Sequence, residues 1–246
     1  MTISIIMVCY NSERTIERAL SSIQRQKVLP DELIIIDGGS TDKTLKIVKS
    51  FGDMVNVIVS ERDNGIYNAM NKGLKLASGD IVGFLNSDDE FSGDDAMHKI
   101  NEAFRINKKT KIFVSGVDYL DANGSLSRRW RLEKVKPFVS GWHPPHPGFY
   151  ASRTLLMDLN GFNEAYRIAS DFDLMLRSFI ATEINDIYVD DGKIVNMFLG
   201  GASNASLRNI FQGNAEIRRS LTDNGIKVTI MYTLKRLTKK LINKWL

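Results

Sequence analysis

The first third of the chain alternates short apolar runs with amphipathic segments. Ile3–Cys9 is apolar and rich in β-branched residues, which is typical of a buried strand. The same pattern predicts strands at 33–36, 55–59 and 81–85, with one-faced helices between them. Asn11 or Ser12, and then Ser40 or Thr41, are candidate caps for the first two helices. Such alternation predicts an α/β fold with right-handed crossovers and a mainly parallel central sheet flanked by helices.

The second half is less regular. Its pattern predicts helices at 94–106 and 171–180, and strands at 112–119, 126–130 and 187–199. The last strand should break at Asp190-Asp191-Gly192, and Trp142-His-Pro-Pro-His-Pro-Gly148 should be an irregular loop because proline interrupts helices and sheets. We expect one domain over 1–225 with a C-terminal extension over 226–246 that forms a basic amphipathic helix.

The composition is that of an ordinary globular protein. Hydrophobic residues make up 43% and charged residues 25% of the 246 positions, which excludes disordered, collagenous and disulfide-scaffold classes. The single cysteine, Cys9, excludes an intramolecular disulfide. No signal-peptide pattern opens the chain, and no apolar run approaches the ~20 residues of a membrane span. We therefore expect a cytoplasmic location.

Polar clusters follow each of the first four predicted strands. They are Tyr10-Asn11, Asp37, Asp63 and Asp88-Asp89. Parallel sheets bind ligands at the carboxyl edge of their strands, so these clusters should meet in one crevice.

The segment Asn86-Ser87-Asp88-Asp89-Glu90 has two interpretations. Carboxylates on a strand-end loop can hold a hard divalent cation together with a diphosphate. Alternatively, Asp89 or Asp94 caps the next helix.

Asp37-Gly-Gly-Ser40 lacks the spacing of a dinucleotide-binding loop or a P-loop. It is either a tight turn with a capping serine or a loop whose aspartate contacts a nucleobase or ribose.

Asp171 and Asp173 begin a helix, where acidic groups stabilise the helix dipole. Because they are two residues apart, at most one of them should face the crevice, where it could act as a general base.

His143 and His146 lie in the proline-rich loop. A histidine pair alone is weak support for zinc, and structural histidines are the commoner outcome.

Together these segments resemble family 2 glycosyltransferases of the GT-A fold over about residues 2 to 200. The likeness lies in Val8-Cys-Tyr-Asn11, Asp37-Gly-Gly-Ser-Thr-Asp42, Asp63-Asn-Gly-Ile-Tyr-Asn-Ala-Met-Asn-Lys-Gly73, Ser78-Gly-Asp80, Phe84-Leu-Asn-Ser-Asp-Asp89 and Ser170-Asp-Phe-Asp-Leu-Met-Leu-Arg177. His143-Pro-Pro-His-Pro and Gly200-Gly-Ala-Ser-Asn resemble bacterial enzymes that build colanic-acid-type and capsular polysaccharides.

The resemblance implies roles for particular residues. Asp171 would be the catalytic base, and Asp88 would bind Mg²⁺ or Mn²⁺, with Asn86 standing where the family commonly has Asp and Ser170 where it has Glu. His146 would line the donor-sugar or acceptor pocket, and Asp173 is assigned to the same pocket. The donor nucleotide would contact Tyr10, Asn11, Asp37, Asp63, Asn86, Ser87 and Asp88.

The implied activity is inverting, metal-dependent transfer of a sugar from a nucleotide sugar, with a UDP-sugar as the expected donor, to a hydroxyl of a glycan or lipid-linked acceptor in surface polysaccharide synthesis. Two alternatives stay open. One is a non-catalytic nucleotide-sugar-binding module. The other is a nucleotidyltransferase, which would normally carry a glycine-rich basic loop where this chain has Tyr10-Asn-Ser-Glu.

The charge is unevenly distributed. The chain has 33 basic and 29 acidic residues, and 226–246 contains six of the basic residues and no acidic one. Leucine, isoleucine and tryptophan recur there on one helical face. The segment is thus either a basic amphipathic helix on the inner face of the cell membrane or a helix packed on the domain. The slightly acidic remainder argues against a nucleic-acid partner.

Overall fold

The structure is a computed structural model that describes residues 1–198, 207–228 and 232. Its strands are β1 Ile3–Cys9, β2 Glu32–Asp37, β3 Val57–Ser60, β4 Ile81–Phe84, β5 Glu90–Phe91, β6 Ile112–Leu120, β7 Leu126–Trp130, β8 Phe149–Ser152 and β9 Ile187–Phe198. Its α-helices are α1 Ile16–Gln24, α2 Thr44–Ser50, α3 Ile66–Leu76, α4 Ala96–Ile106, α5 Arg153–Asp158, α6 Ser170–Ile180 and α7 Leu207–Asp223.

All the described strands join one mixed sheet in the order β3-β2-β1-β4-β8-β6-β9-β5, with β7 paired to β6. The strands β3, β2, β1 and β4 are parallel, as predicted. The strand β8 is antiparallel to both β4 and β6, and β9 is parallel to β6. Consequently β6 and β9 run in the same direction as β4, and their carboxyl ends lie at the same edge.

Helices cover both faces of the sheet, which explains why β1 is buried along its whole length. Alternate residues of β1 enter two different cores: Ile6 and Val8 pack in one, and Ile5 and Met7 in the other. The first core also takes residues of α3, α5, α6 and α7, and the second takes residues of α1, α2 and α4. An unbroken apolar strand is the pattern expected of such a central position.

The predicted helix caps are wrong. Helix α1 begins after Thr15 and α2 after Lys43, and neither capping residue bonds a backbone amide through its side chain. The side chains of Ser40 and Asn11 instead bond between the loops that follow β1 and β2. These polar groups therefore hold the loops together rather than begin the helices.

The strand β9 is continuous across Asp190-Asp191-Gly192, where a break was predicted. The pairing of β6 with β9 shifts register on both sides of Gly116 instead. A Cβ on Gly116 would lie 2.6 Å from the carbonyl oxygen of Gly192, so glycine permits the close approach of the two backbones. The proline-rich loop contains a short 3-10 turn at His146–Gly148 and leads into β8 and α5, neither of which was predicted.

The predicted C-terminal helix over 226–246 lies mostly outside the described residues. Of those that are described, Tyr232 is 6% exposed and its hydroxyl donates to the carbonyl of Phe138 at 3.2 Å. Ile226 and Val228 pack against the same core. The start of this segment is therefore part of the domain. Within the described ranges, no helix has the length and apolar character needed to cross a membrane.

Candidate functional site

The loops at the carboxyl edge of the parallel strands line the predicted crevice, and two predicted donor residues, Tyr10 and Asp63, meet at its β1–β3 end. The ring of Tyr10 is 62% exposed. A Cβ built on Gly38 would lie 3.5 Å from Cδ2 of Tyr10 and 3.2 Å from Oδ2 of Asp63. The other oxygen of Asp63 pairs with Nζ of Lys72 at 2.7 Å. An exposed aromatic ring and an oriented carboxylate thus flank a bare stretch of backbone.

Asp37 lies at the end of β2 with no exposed surface. Its oxygens accept hydrogen bonds from Oγ of Ser60 at 2.7 Å, from the backbone amides of Gly39 and Ser40 at 3.2 and 3.0 Å, and from Oγ of Ser40. Burial raises the pKa of Asp37, but these donors outweigh burial and hold the pKa below its ordinary value. The carboxylate therefore organises the loop after β2, and its contact with a nucleotide stays a prediction.

Asn11 joins the loops that follow β1 and β2. Its φ of 48° is left-handed, a conformation that asparagine tolerates. Its Oδ1 accepts from the amide of Thr41 at 2.9 Å, and its own amide donates to Oγ of Ser40 at 2.8 Å. The amide of Ser12 donates to Oγ1 of Thr44 at 2.7 Å. The structure thus uses the side chain of Asn11 to fix the backbone beside Tyr10.

The loop after β4 carries the acidic motif. Oγ of Ser87 lies 2.9 Å from Oγ of Ser12, and Nη2 of Arg18 donates to the carbonyl of Asp88 at 2.7 Å. Nδ2 of Asn86 donates to Oδ2 of Asp89 at 2.9 Å. The first two bonds attach the loop to the segment after β1 and to α1, and the third lies within the loop.

The two neighbouring carboxylates of this loop lie in opposite environments. Asp89 is 2% exposed, and burial, followed by the charge of Asp88, raises its pKa to about 7. Asp88 is half-buried, and none of the described residues hydrogen-bonds its carboxylate. The capping alternative fails, because α4 begins after Asp95 and no side chain caps it.

The donor set fits one divalent cation shared with a diphosphate. The described residues contain no group of three or more His, Cys, Asp or Glu side chains that could hold a metal by themselves. Mg²⁺ and Mn²⁺ commonly bind through one or two protein carboxylates while substrate phosphates supply further oxygens. The uncommitted carboxylate of Asp88 can take that part, whereas the buried, hydrogen-bonded Asp89 cannot.

Asp171 is the second residue of α6 and is half-buried. The hydroxyl of Tyr67 lies 3.3 Å from Oδ1 of Asp171 and 2.8 Å from the carbonyl of Ile168. Within the described part of the chain, Oδ2 of Asp171 has no hydrogen-bond partner. One oxygen is therefore oriented by a buried phenol while the other is available to a substrate.

His146 lies beside this carboxylate. Its ring stacks on Phe84 at 5.7 Å between centroids, and its buried Nε2 has no partner among the described residues. Burial lowers the pKa of His146, and the charge of Asp171 acts in the opposite direction. The ring therefore lies within the electrostatic reach of Asp171, and its place in a donor-sugar or acceptor pocket stays a prediction.

Asp173 lies away from the crevice. It is 3% exposed, Nε of Arg177 donates to its Oδ2 at 2.8 Å, and Oγ of Ser220 donates to its Oδ1 at 2.7 Å. Arg177 also donates to the carbonyls of Leu159 and Gly161. Asp173 therefore joins α6 to α7 and to the end of α5, and the structure does not bring it together with Asp171.

Glu216 of α7 is a site-supporting residue that sequence reasoning missed. Its carboxylate accepts from the backbone amides of Arg167, Ile168 and Ala169 at 3.1, 2.8 and 2.9 Å. Burial raises the pKa of Glu216, but these donors outweigh burial and hold the pKa below its ordinary value. An acidic residue 47–49 positions downstream of the amides that it binds carries no local sequence signal. It fixes the backbone just before Asp171.

We predict that Glu216→Ala destabilises the protein by about 1–3 kcal/mol, because three amides lose their acceptor. Urea unfolding measures this, with Glu102→Ala, which removes an exposed ion pair, as the control. Since the folded-state pKa of Glu216 is lowered, the difference should be complete at neutral pH and decline as the pH falls through that pKa. Equal stability of the two variants would contradict the assignment.

Comparisons with known proteins agree on one family. The sequence profile described as glycosyl transferase family 2 matches residues 4–174. A PGL/p-HBAD biosynthesis glycosyltransferase of Mycobacterium bovis is 28% identical over 179 residues, covering 72% of this chain and 69% of that protein. An uncharacterized glycosyltransferase of Mycobacterium tuberculosis is 28% identical over 200 residues, covering 74% of this chain and 70% of that protein.

Solved structures show the same fold. Staphylococcus aureus TarS 1–349, in complex with UDP-GlcNAc, superimposes with a TM-score of 0.71 at 19% identity, covering 100% of this chain and 73% of that chain. The mannosyltransferase PcManGT from Pyrobaculum calidifontis, in complex with GDP-Man and Mn²⁺, gives a TM-score of 0.64 at 16% identity, covering 99% of this chain and 71% of that chain. These likenesses confirm the predicted fold class.

Proposed function

The chain belongs to glycosyl transferase family 2, and we propose that it transfers a sugar from a UDP-sugar to an acceptor hydroxyl with inversion at the anomeric carbon. The observation that carries the proposal is the arrangement of the crevice. Tyr10 and Asp63 lie at one end, Asp88 lies on the loop after β4, and Asp171 begins α6 beside Tyr67. The alternatives of a nucleotidyltransferase and of a non-catalytic module are not carried forward, because the chain is a glycosyltransferase.

The nucleotide binds, in this proposal, at the ends of β1 and β2. Its base stacks on the exposed ring of Tyr10 over the backbone of Gly38, and Asp63 accepts a hydrogen bond from the base or ribose. Asp37 and Asn11 act through the loops that they hold in place. UDP is the nucleotide of the TarS complex, which supports a UDP-sugar as the donor class.

The diphosphate would share a divalent cation with Asp88, where Asn86 and Ser87 hold the loop. When bound, Mg²⁺ or Mn²⁺ supplies Lewis-acid stabilisation of the negative charge on the leaving diphosphate. The Mn²⁺ in the PcManGT complex supports a metal of this kind. Ser87 bonds to Ser12, and Arg18 donates to the carbonyl of Asp88. These two bonds keep the backbone of Asp88 in position.

Asp171 is the general base. Its Oδ1 is oriented by the hydroxyl of Tyr67. Its Oδ2 takes the proton of the acceptor hydroxyl as the hydroxyl oxygen attacks the anomeric carbon and the bond from that carbon to the leaving diphosphate breaks. Direct displacement at the anomeric carbon, assisted by one general base, inverts the configuration, as the direct displacement by water does in inverting glycosidases. His146 packs against Phe84 beside this carboxylate and limits the space for water there.

The acceptor is a hydroxyl of a glycan or of a lipid-linked glycan in surface polysaccharide synthesis. The basic, acid-free segment 226–246 supports a location at an anionic membrane face, since each lysine or arginine near such a surface contributes about 1 kcal/mol. Its first part packs on the domain through Tyr232, which leaves five of the six basic residues beyond that anchor.

We predict that Asp171→Asn lowers the rate of UDP release from the donor by about 10²–10⁴-fold, because an amide cannot accept the proton. UDP affinity, measured by calorimetry, should be unchanged. Asp191→Asn removes an exposed carboxylate of β9 and is the matched control. A wild-type rate for Asp171→Asn would exclude Asp171 as the base.

We predict that Asp88→Asn loses the part of the UDP affinity that depends on Mn²⁺, because a carboxylate ligand of the cation becomes a neutral amide. Calorimetric titrations of UDP with Mn²⁺ and with EDTA measure that part. Asp53→Asn, in the turn after α2, should behave like the wild type. Unchanged metal-dependent affinity in Asp88→Asn would remove Asp88 from the metal site.

We predict that the full chain floats with anionic liposomes and that a form ending at Tyr232 does not, because the truncation removes most of the basic residues of the segment. Neutral liposomes are the control for nonspecific adsorption. Equal flotation of both forms with anionic liposomes would contradict a role of this segment in membrane binding.

A further inference from the structure

The hairpin of β6 and β7 rises at the same edge of the sheet as the crevice. Because β6 runs in the direction of β4, its last residues, Tyr119 and Leu120, lie at the carboxyl edge. Arg128 pairs directly with Tyr119 across the hairpin, and Trp130 pairs with Val117. None of these residues was assigned a role in donor binding or base catalysis.

Arg128 is a cation without an acidic partner. Its guanidinium carbon lies 4.2 Å from the ring centroid of Tyr119 and 5.7 Å from that of Trp130. No described carboxylate forms an ion pair with it, and the residues outside the described ranges include neither Asp nor Glu. Arg131, three residues after Arg128 and just beyond the end of β7, pairs with Asp118 at 2.7 Å. Arg128 therefore differs from its neighbour in having donors that no side-chain anion of the chain occupies.

Aromatic side chains connect this hairpin to the catalytic base. The ring of Trp130 lies 5.1 Å from His143, and His143 lies 5.5 Å from Phe172, which follows Asp171 in α6. Burial raises the pKa of Tyr119, Arg128 lowers it, and the charges of Asp89 and Asp171 raise it further. The phenol of Tyr119 is thus within the electrostatic reach of both the β4 loop and the base.

We propose that Arg128, Tyr119 and Trp130 form an acceptor subsite that binds a sugar bearing an oxyanion, either a carboxylate or a phosphate ester. The guanidinium fork matches both groups in bidentate geometry. The aromatic rings offer apolar faces to the sugar and hold the guanidinium plane in place. This assignment rests on the proposed function, because the subsite is useful only beside a base that activates an acceptor hydroxyl.

The position of the hairpin favours the acceptor over the donor diphosphate. The donor residues lie on the loops that follow β1, β2, β3 and β4. Arg128 lies on β7, beyond β8 and β6 in the sheet, and Trp130 and His143 connect it to α6. An oxyanion held there would place the rest of the acceptor towards Asp171.

The test uses three probes that share one ring: methyl glucoside, methyl glucuronide and methyl glucoside 6-phosphate. Ligand-observed NMR titrations measure their affinities for the full chain, with and without UDP and Mn²⁺. The glucuronide and the phosphate distinguish the two sources of the oxyanion. Arg128→Ala removes the cation, Arg128→Gln keeps most of the stacked stem, and Arg129→Ala removes the adjacent, exposed arginine as the matched control.

We expect at least one charged probe to bind about tenfold more tightly than the neutral one, the effect of one charge-assisted hydrogen bond. Arg128→Ala and Arg128→Gln should both abolish that preference, and Arg129→Ala should retain it. Calorimetry should give all three variants the wild-type affinity for UDP with Mn²⁺.

Three results would overturn the proposal. One is a wild-type protein that binds the neutral probe as tightly as the charged probes or binds no charged probe. The second is a preference that survives in Arg128→Gln. The third is a loss of UDP affinity in Arg128→Gln, which would assign Arg128 to the donor. Absence of UDP binding in the wild type would contradict the proposed function instead, and the titrations without UDP would still report on the subsite.

Discussion

A carboxylate with no exposed surface must receive hydrogen bonds, and the donors that satisfy Asp37 determine the shape of the donor side of the crevice. They come from its own loop, through Gly39 and Ser40, and from the end of β3, through Ser60. Ser40 in turn receives the amide of Asn11, so the loop after β1 is held as well. The backbone at Gly38, which lies between the side chains of Tyr10 and Asp63, is therefore preorganised by one buried charge. A ligand need not order it on binding.

Asp171, the proposed base, is held by a second set of contacts, from opposite sides. Tyr67 of α3 reaches both Asp171 and the carbonyl of Ile168, while Glu216 of α7 binds the amides of the same loop. Asp173, on the other side of α6, is bonded to Ser220 of α7. Helix α7 lies beyond the residues that match the family profile. The position of Asp171 thus depends on a part of the chain that carries no recognised motif.

The strands and helices of the first half were predictable because each has its own hydrophobic period. The bounds of β1 match the structure, and those of β2 differ by one residue at each end. The strand β8 was hidden because prolines precede it and its pattern is short. Equivalent local patterns could not separate Asp171 from Asp173, or Asp88 from Asp89, because burial and partners are set by residues far away in the sequence. The contacts of Ser60, Glu216 and Arg128 could not be predicted for the same reason.

The account depends most on the claim that the nucleotide and its cation bind along one sheet edge, from Tyr10 to Asp88. A crystal structure of the protein with UDP and Mn²⁺, with the metal located by its anomalous signal, tests that claim directly. The account predicts a manganese peak at the carboxylate of Asp88, the base against the ring of Tyr10, and Asp171 facing the diphosphate across the crevice. A manganese ion bound elsewhere, or UDP outside the loops that follow β1, β2 and β4, would contradict it.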